Sequence, residues 1–87
     1  MDKLWLDEAW EGFETCLEQD RKNLKKILRL LQDIDRYGYT GIGKPEPLKG
    51  NLNGYWSRRI DSENRLVYQI NEGRILIIQC GSHYGDK

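Results

Sequence analysis

Apolar positions recur along this 87-residue chain with two different periods, helical in the first half and strand-like in the second. Lys3 to Leu6 forms a short apolar-containing opening that fits an edge or central strand. Trp10, Phe13 and Leu17 then return at helical spacing. Asp7 stands where an N-cap is expected, and Glu8 and Glu11 fall in the first turn, where carboxylates interact well with the helix dipole. Asp20 is placed to cap a second helix. Behind it Leu24, Ile27, Leu28, Leu31 and Ile34 make an apolar stripe, with lysines and arginines opposite. The pattern predicts a helical hairpin with almost no loop.

Between Tyr37 and Gly54 the periodicity breaks. Gly38, Gly41, Gly43, Pro45, Pro47, Gly50 and Gly54 punctuate a long irregular segment. Loops beyond about 12 residues are uncommon in small domains and are often functional. Three strand-like runs follow, Tyr55–Ile60, Arg65–Ile70 and Arg74–Gln79, joined by the short polar connections 61–64 and 71–73. The order is β-α-α-β-β-β, an α+β fold with two helices on one face of a small, mainly antiparallel sheet. Pairing Ile60 with Asn64 sets Arg59 opposite Arg65, on one face with Tyr55, Ser57 and Val67. Trp56, Ile60, Leu66, Tyr68 and Ile70 then face the helices. Arg58 is the misfit among them and is expected to snorkel at an edge. Two arginines set opposite each other disfavour folding, unless an anion lies between them.

The length fits a single domain over residues 1–87, with 85–87 expected as a flexible tail. No apolar run approaches the roughly 18 residues of a membrane span, and no leader pattern opens the chain. A cytoplasmic protein is expected. Cys16 and Cys80 are too few and too far apart for a metal site or a disulfide framework, and read as small, half-buried core residues. A single histidine excludes a multi-histidine metal centre. The expectation is therefore no metal and no cofactor.

Formal net charge is zero, but the charges are segregated. Asp2 to Asp20 holds seven acidic residues and one basic, leaving thirteen basic against seven acidic in the remainder. A neutral total can hide a polyanion site in this way. Three groups of residues stand out there. Glu46 sits between Pro45 and Pro47, whose fixed φ restricts its backbone. Arg59 and Arg65 share a strand face. His83 and Tyr84 lie near the C-terminus. RNA cleavage through the 2′-hydroxyl needs a base, cations around the phosphate and an acid for the departing 5′-oxygen. A carboxylate, a guanidinium and an imidazole can fill those roles, and an exposed tyrosine can stack on or orient a base.

Four strings carry a family resemblance: Gly43-Lys44-Pro45-Glu46-Pro47-Leu48-Lys49, Asn51 through Ile60, Arg65-Leu66-Val67-Tyr68, and His83-Tyr84. Together with Leu4-Trp5 and the paired helices, they resemble the YoeB branch of the RelE superfamily of bacterial toxins. The resemblance implies the RelE-like fold and ribosome-dependent mRNA cleavage in the A site. It also implies homodimerisation and neutralisation by a YefM-like antitoxin. By position, Glu46 would be the general base, His83 the general acid and Arg65 the stabiliser of the transition-state phosphate. Lys49 and Arg59, with Lys44 beside them, would hold the RNA, and Tyr84 would orient the scissile nucleotide. The chain departs from the family pattern in having Gly81-Ser82 ahead of His-Tyr, and in continuing past it. Two rival readings remain, a ParE-like toxin that binds DNA gyrase and a non-catalytic module that only binds its partner. Glu46 and His83 at the matching positions argue against the first.

Overall fold

Asp20 has two tasks in the computed structural model, which describes residues 1–81. Its backbone N–H closes the first helix on the Cys16 carbonyl, and its carboxylate accepts the Asn23 N–H at 3.0 Å to cap the second. One residue thus joins α1 (Asp7–Gln19) to α2 (Arg21–Tyr37), as the pattern predicts. The start of α1 differs from expectation. Leu6 is its N-cap, with no side-chain cap bond, and Asp7 sits inside the first turn beside Glu8. There both carboxylates still face the positive end of the helix dipole.

Five strands form among the described residues: β1 (Asp2–Trp5), β2 (Glu46–Pro47), β3 (Trp56–Arg59), β4 (Arg65–Asn71) and β5 (Arg74–Cys80). They make one sheet in the order β1-β5-β4-β3-β2, with β1 parallel to β5 and the other pairs antiparallel. This is the expected α+β arrangement with one addition. The long irregular segment contributes β2 and a turn of 3-10 helix at Gly50–Leu52.

Small residues decide how α1 packs. Ala9 and Cys16 are buried, and a Cβ on Gly12 would lie 1.8 Å from the Cys80 carbonyl oxygen. Ala9, Gly12 and Cys16 form the helix face that sits against β5, so the backbones approach closely. The expected large stripe flanks that contact instead: Trp10 and Leu17 are exposed and Phe13 is half-buried. Trp5, Trp10 and Phe13 pack on one another with ring centroids 5.1–5.4 Å apart. In α2 the buried set is Ile27, Leu30, Leu31 and Ile34; Leu30 takes the place expected for Leu28, which is exposed. Each fully buried aliphatic side chain contributes about 1.5–3 kcal/mol, so this face anchors the helix.

Arg58 contradicts its sequence reading outright. It is fully buried, not snorkelling at an edge. Its Nε donates to the Tyr68 hydroxyl at 3.0 Å, and one terminal nitrogen donates to Asp33 and to the Ile42 carbonyl. The other donates to the carbonyls of Gly38 and Thr40 at 2.7 and 2.8 Å. All five guanidinium N–H groups therefore have acceptors. The Arg58 hydrogen bond, joined by that of the Ile42 N–H, lowers the Asp33 pKa against the opposing effect of burial. Gly41 permits this approach, since a Cβ there would meet Asp33 at 1.8 Å, and its φ of 128° suits glycine. Tyr39 completes the anchor. Its ring stacks on Trp56 and Tyr68, and its hydroxyl accepts the Ile70 N–H at 2.8 Å.

Lysine offers three donors on a point charge and cannot reproduce this planar fork. Unfolding in urea should therefore show Arg58→Lys and Arg58→Met each losing about 3 kcal/mol or more, since several buried acceptors lose their donors at once. An Arg58→Lys variant with the wild-type midpoint would show that the fork is dispensable.

Candidate active site

Strand register brings three of the sequence-derived site residues together. Glu46 pairs with Ser57, Ser57 with Val67, and Val67 with Gln79, so these four form a row across the sheet. Two residues along β3, Arg59 pairs with Arg65, the register expected from the short 61–64 connection. Directly opposed residues have Cβ atoms about 4.5–5.5 Å apart and diagonal neighbours about 7–8 Å apart. Glu46, Arg59 and Arg65 therefore occupy one patch on the face turned away from the helices. Ser57 and Val67 are buried in that face, outside the main core, as is Leu48.

A bulge at the end of β5 shapes the same patch. Tyr68 pairs with Ile77 but Val67 pairs with Gln79, so Ile78 is an extra residue. The register beyond it moves by one. Gln79 joins the site row, Cys80 turns into the core, and the Gly81 N–H donates to the Arg65 carbonyl at 3.1 Å. The exit of β5 is thereby held beside Arg65.

Glu46–Pro47 is an edge strand, where a residue without an N–H is tolerated, and Leu48 extends the pairing by donating to the Tyr55 carbonyl at 2.9 Å. Lys44 and Lys49 flank this strand, both exposed. Lys44 has a positive φ of 52°, so strand alternation breaks before Glu46, and both lysines lie outside the paired register of β2 with β3. Among the described residues no hydrogen bond or ion pair engages the side chain of Glu46, Arg59, Lys44 or Lys49. His83, Tyr84 and the 85–87 tail lie outside the described residues.

Arg65 is held at one end. A terminal nitrogen donates to the carbonyls of Asp61 and Asn64 at 3.2 and 3.3 Å. Asp61 in turn organises the turn. Its Oδ1 accepts the backbone N–H groups of Glu63 and Asn64 at 2.8 and 2.7 Å. The Asn64 amide donates to both of its oxygens, and the Asn23 amide of α2 donates to Oδ2 at 2.8 Å. Burial alone would raise the Asp61 pKa, but the bonds from Asn23, Asn64 and the turn N–H groups outweigh it and hold it at about 2. Sequence reasoning missed Asp61, Asn23 and Gln79. An Asp followed three residues later by Asn in a tight connection was the available signal for the first.

Among the described residues no cluster of three or more His, Cys, Asp or Glu could hold a metal ion. Cys16 and Cys80 are free thiols buried in the core, deeper than the half-buried positions expected for them. Burial, with the Cys16 thiol nearby, pushes Cys80 up to about 12. Neither is a nucleophile at neutral pH.

Residues 5–84 match the family model described as the YoeB-like toxin of bacterial type II toxin-antitoxin systems. The chain belongs to the YoeB family. It is 45% identical over 84 residues to Toxin YoeB of Escherichia coli K12, covering 97% of this chain and 100% of that one. A YoeB/ParE toxin from Agrobacterium tumefaciens superposes with a TM-score of 0.91 at 42% identity, covering 97% and 100% of the two chains. YoeB of Staphylococcus aureus has been solved as a dimer and in a heterotetrameric complex with YefM. Both superpose on this chain with a TM-score of 0.90 at 46% identity, over 97% of this chain and 98% of theirs.

An unfolded-state aspartate titrates near pH 3.9, so a folded value of about 2 means that the Asp61 turn stabilises the protein above roughly pH 4 and ceases to as pH falls through 2. Acid titration of unfolding should show wild type more stable than Asp61→Asn at pH 6, with the gap closing between about pH 4 and 2. A gap independent of pH would contradict the ionised turn.

Proposed function

We propose that this YoeB-family toxin is a ribosome-dependent endoribonuclease that cuts mRNA in the A site and so halts translation. One observation carries the reading. Glu46, Arg59 and Arg65 share a sheet face, and the exit of β5 is held beside Arg65. His83 follows Gly81 by two residues in the sequence.

Glu46 takes the proton from the 2′-hydroxyl, and the freed oxygen attacks the adjacent phosphorus. Negative charge gathers on the non-bridging oxygens, where Arg65 meets it. Arg59, Lys49 and Lys44 hold the RNA backbone. As the bond from phosphorus to the 5′-oxygen breaks, His83 gives its proton to the leaving oxygen. The immediate products are a 2′,3′-cyclic phosphate, which water opens to the 3′-phosphate-type end, and a 5′-hydroxyl. Tyr84 orients the scissile nucleotide. The charge work falls to guanidinium groups, so no metal or cofactor enters the scheme. The partners we assign are the ribosome with its mRNA, a YefM-like antitoxin covering the site, and a second copy of the chain. Among the described residues no helix is long and apolar enough to cross a membrane, in keeping with action on cytoplasmic ribosomes.

Mapping 5′ ends of mRNA after expression of wild type, Glu46→Gln and His83→Gln tests the scheme. Each variant should lose cleavage by about 10²-fold or more, the usual contribution of a general acid or base. Fragment patterns identical across all three proteins would remove Glu46 and His83 from the chemistry. Inhibition of gyrase supercoiling, with mRNA left whole, would point to the ParE-like alternative.

A further inference from the structure

The hydrogen bonds around Asp61 form an unbroken path from α2 to Arg65. Asp20 caps α2 through the Asn23 N–H, and the nearly buried Asn23 amide reaches across to Asp61 Oδ2 at 2.8 Å. The Asp61 carboxylate takes four further bonds from the turn, three of them from Asn64 and one from the Glu63 N–H. The Asn64 carbonyl accepts the N–H groups of Ile60 and Asp61 at 2.9 and 3.3 Å, which sets the pairing of β3 with β4. The same carbonyl and that of Asp61 then accept the Arg65 guanidinium.

Arginine carries a floppy side chain, and ordering it costs rotamer freedom. Two carbonyls on a rigid turn immobilise one of its terminal nitrogens in advance, leaving the remaining donors for a ligand. The carbonyls bring no formal charge to the guanidinium, and the Asp61 charge is spent on the N–H groups inside the turn. A cation held this way is oriented without being neutralised. Across the strand pair stands Arg59, whose side chain has no such tether among the described residues.

We infer that Asp61 and Asn23 are positioning residues that aim the Arg65 guanidinium at the scissile phosphate, Asn23 by tying the turn to α2 and Asp61 by shaping the carbonyl pair that holds Arg65. The assignment rests on the ribonuclease reading of the site, and it divides the two arginines into one fixed in advance and one free to follow the RNA.

Single-turnover cleavage of mRNA on programmed ribosomes tests it, with Asp61→Ala, Asn23→Ala, Arg65→Ala and the two doubles that contain Arg65→Ala. Asp61→Ala and Asn23→Ala should slow the cleavage step by about 10- to 100-fold, the usual penalty for a misplaced catalytic group. Affinity for the ribosome should change less than about threefold, since the loss falls on the transition state. On top of Arg65→Ala, either substitution should change the rate by less than about twofold, because both act through that side chain. Asn23→Ala leaves the bonds within the turn in place, so it reports on the tether even if Asp61→Ala folds poorly. Losses that add fully to that of Arg65→Ala would overturn the assignment. A second readout needs no cleavage: 15N relaxation at the Arg65 Nε–H should show a side chain that is ordered in wild type and loosened in both single variants. If wild type fails to cut, the ribonuclease reading falls on its own. Equal Arg65 order in all three proteins would then sink the positioning claim separately.

Discussion

A guanidinium removed from water must find an acceptor for each of its five N–H groups, and Arg58 finds all five in one place. Those acceptors come from α2, from the glycine-rich segment that follows it and from β4. The segment is rich in glycine, and its other main hold on the fold is Tyr39, stacked on Trp56 and Tyr68. Its carbonyls, turned inward onto a buried charge, make it a fixed part of the molecule. That matters for the site, because the segment leads directly into Pro45-Glu46-Pro47. The Arg59 N–H donates to the Gly43 carbonyl at 2.7 Å, one residue beyond Arg58 and three before Glu46. The buried cation and the exposed carboxylate are consecutive parts of one arrangement.

Much of this was legible from the sequence, for reasons that can be stated. Asp20 is a cap because its carboxylate bonds locally, and local bonds depend on neighbours in the chain. The pairing of Arg59 with Arg65 follows from a short polar connection and strand alternation, both local as well. Glu46 was marked by its prolines. Arg58 was misread because alternation tells which face a side chain occupies but not what lies over that face. The covering segment is far away in sequence and binds through main-chain carbonyls, which carry no residue signature. The same blindness hid the bulge at Ile78 and the tether from Asn23, a contact 38 residues long. For α1 the error was one of size. Large apolar residues carry the helical period, whereas the contact of α1 with the sheet is made by Ala9, Gly12 and Cys16, whose value is that they are small.

Electrostatics link the fold to its chemistry. Opposed arginines on neighbouring strands repel, and the pair Arg59 and Arg65 is no exception. The fold spends hydrogen bonds on keeping them there, through the Asp61 turn on one side and the β5 exit on the other. A phosphodiester between them would relieve the repulsion, and the carboxylate of Glu46 lies one diagonal step from Arg59. In the proposed chemistry, basic groups for binding and an acidic group for proton removal would thus come from adjacent strands, in a chain whose formal charge sums to zero.

Everything in this scheme turns on the substrate's own 2′-oxygen as nucleophile, with Glu46 taking its proton. The most direct measurement replaces that hydroxyl by hydrogen at the single mapped cut position of an mRNA bound to programmed ribosomes. Cleavage at that nucleotide should vanish while the message still occupies the A site. Cutting there at the unmodified rate would contradict the scheme, since a nucleophile other than the 2′-oxygen would then be at work.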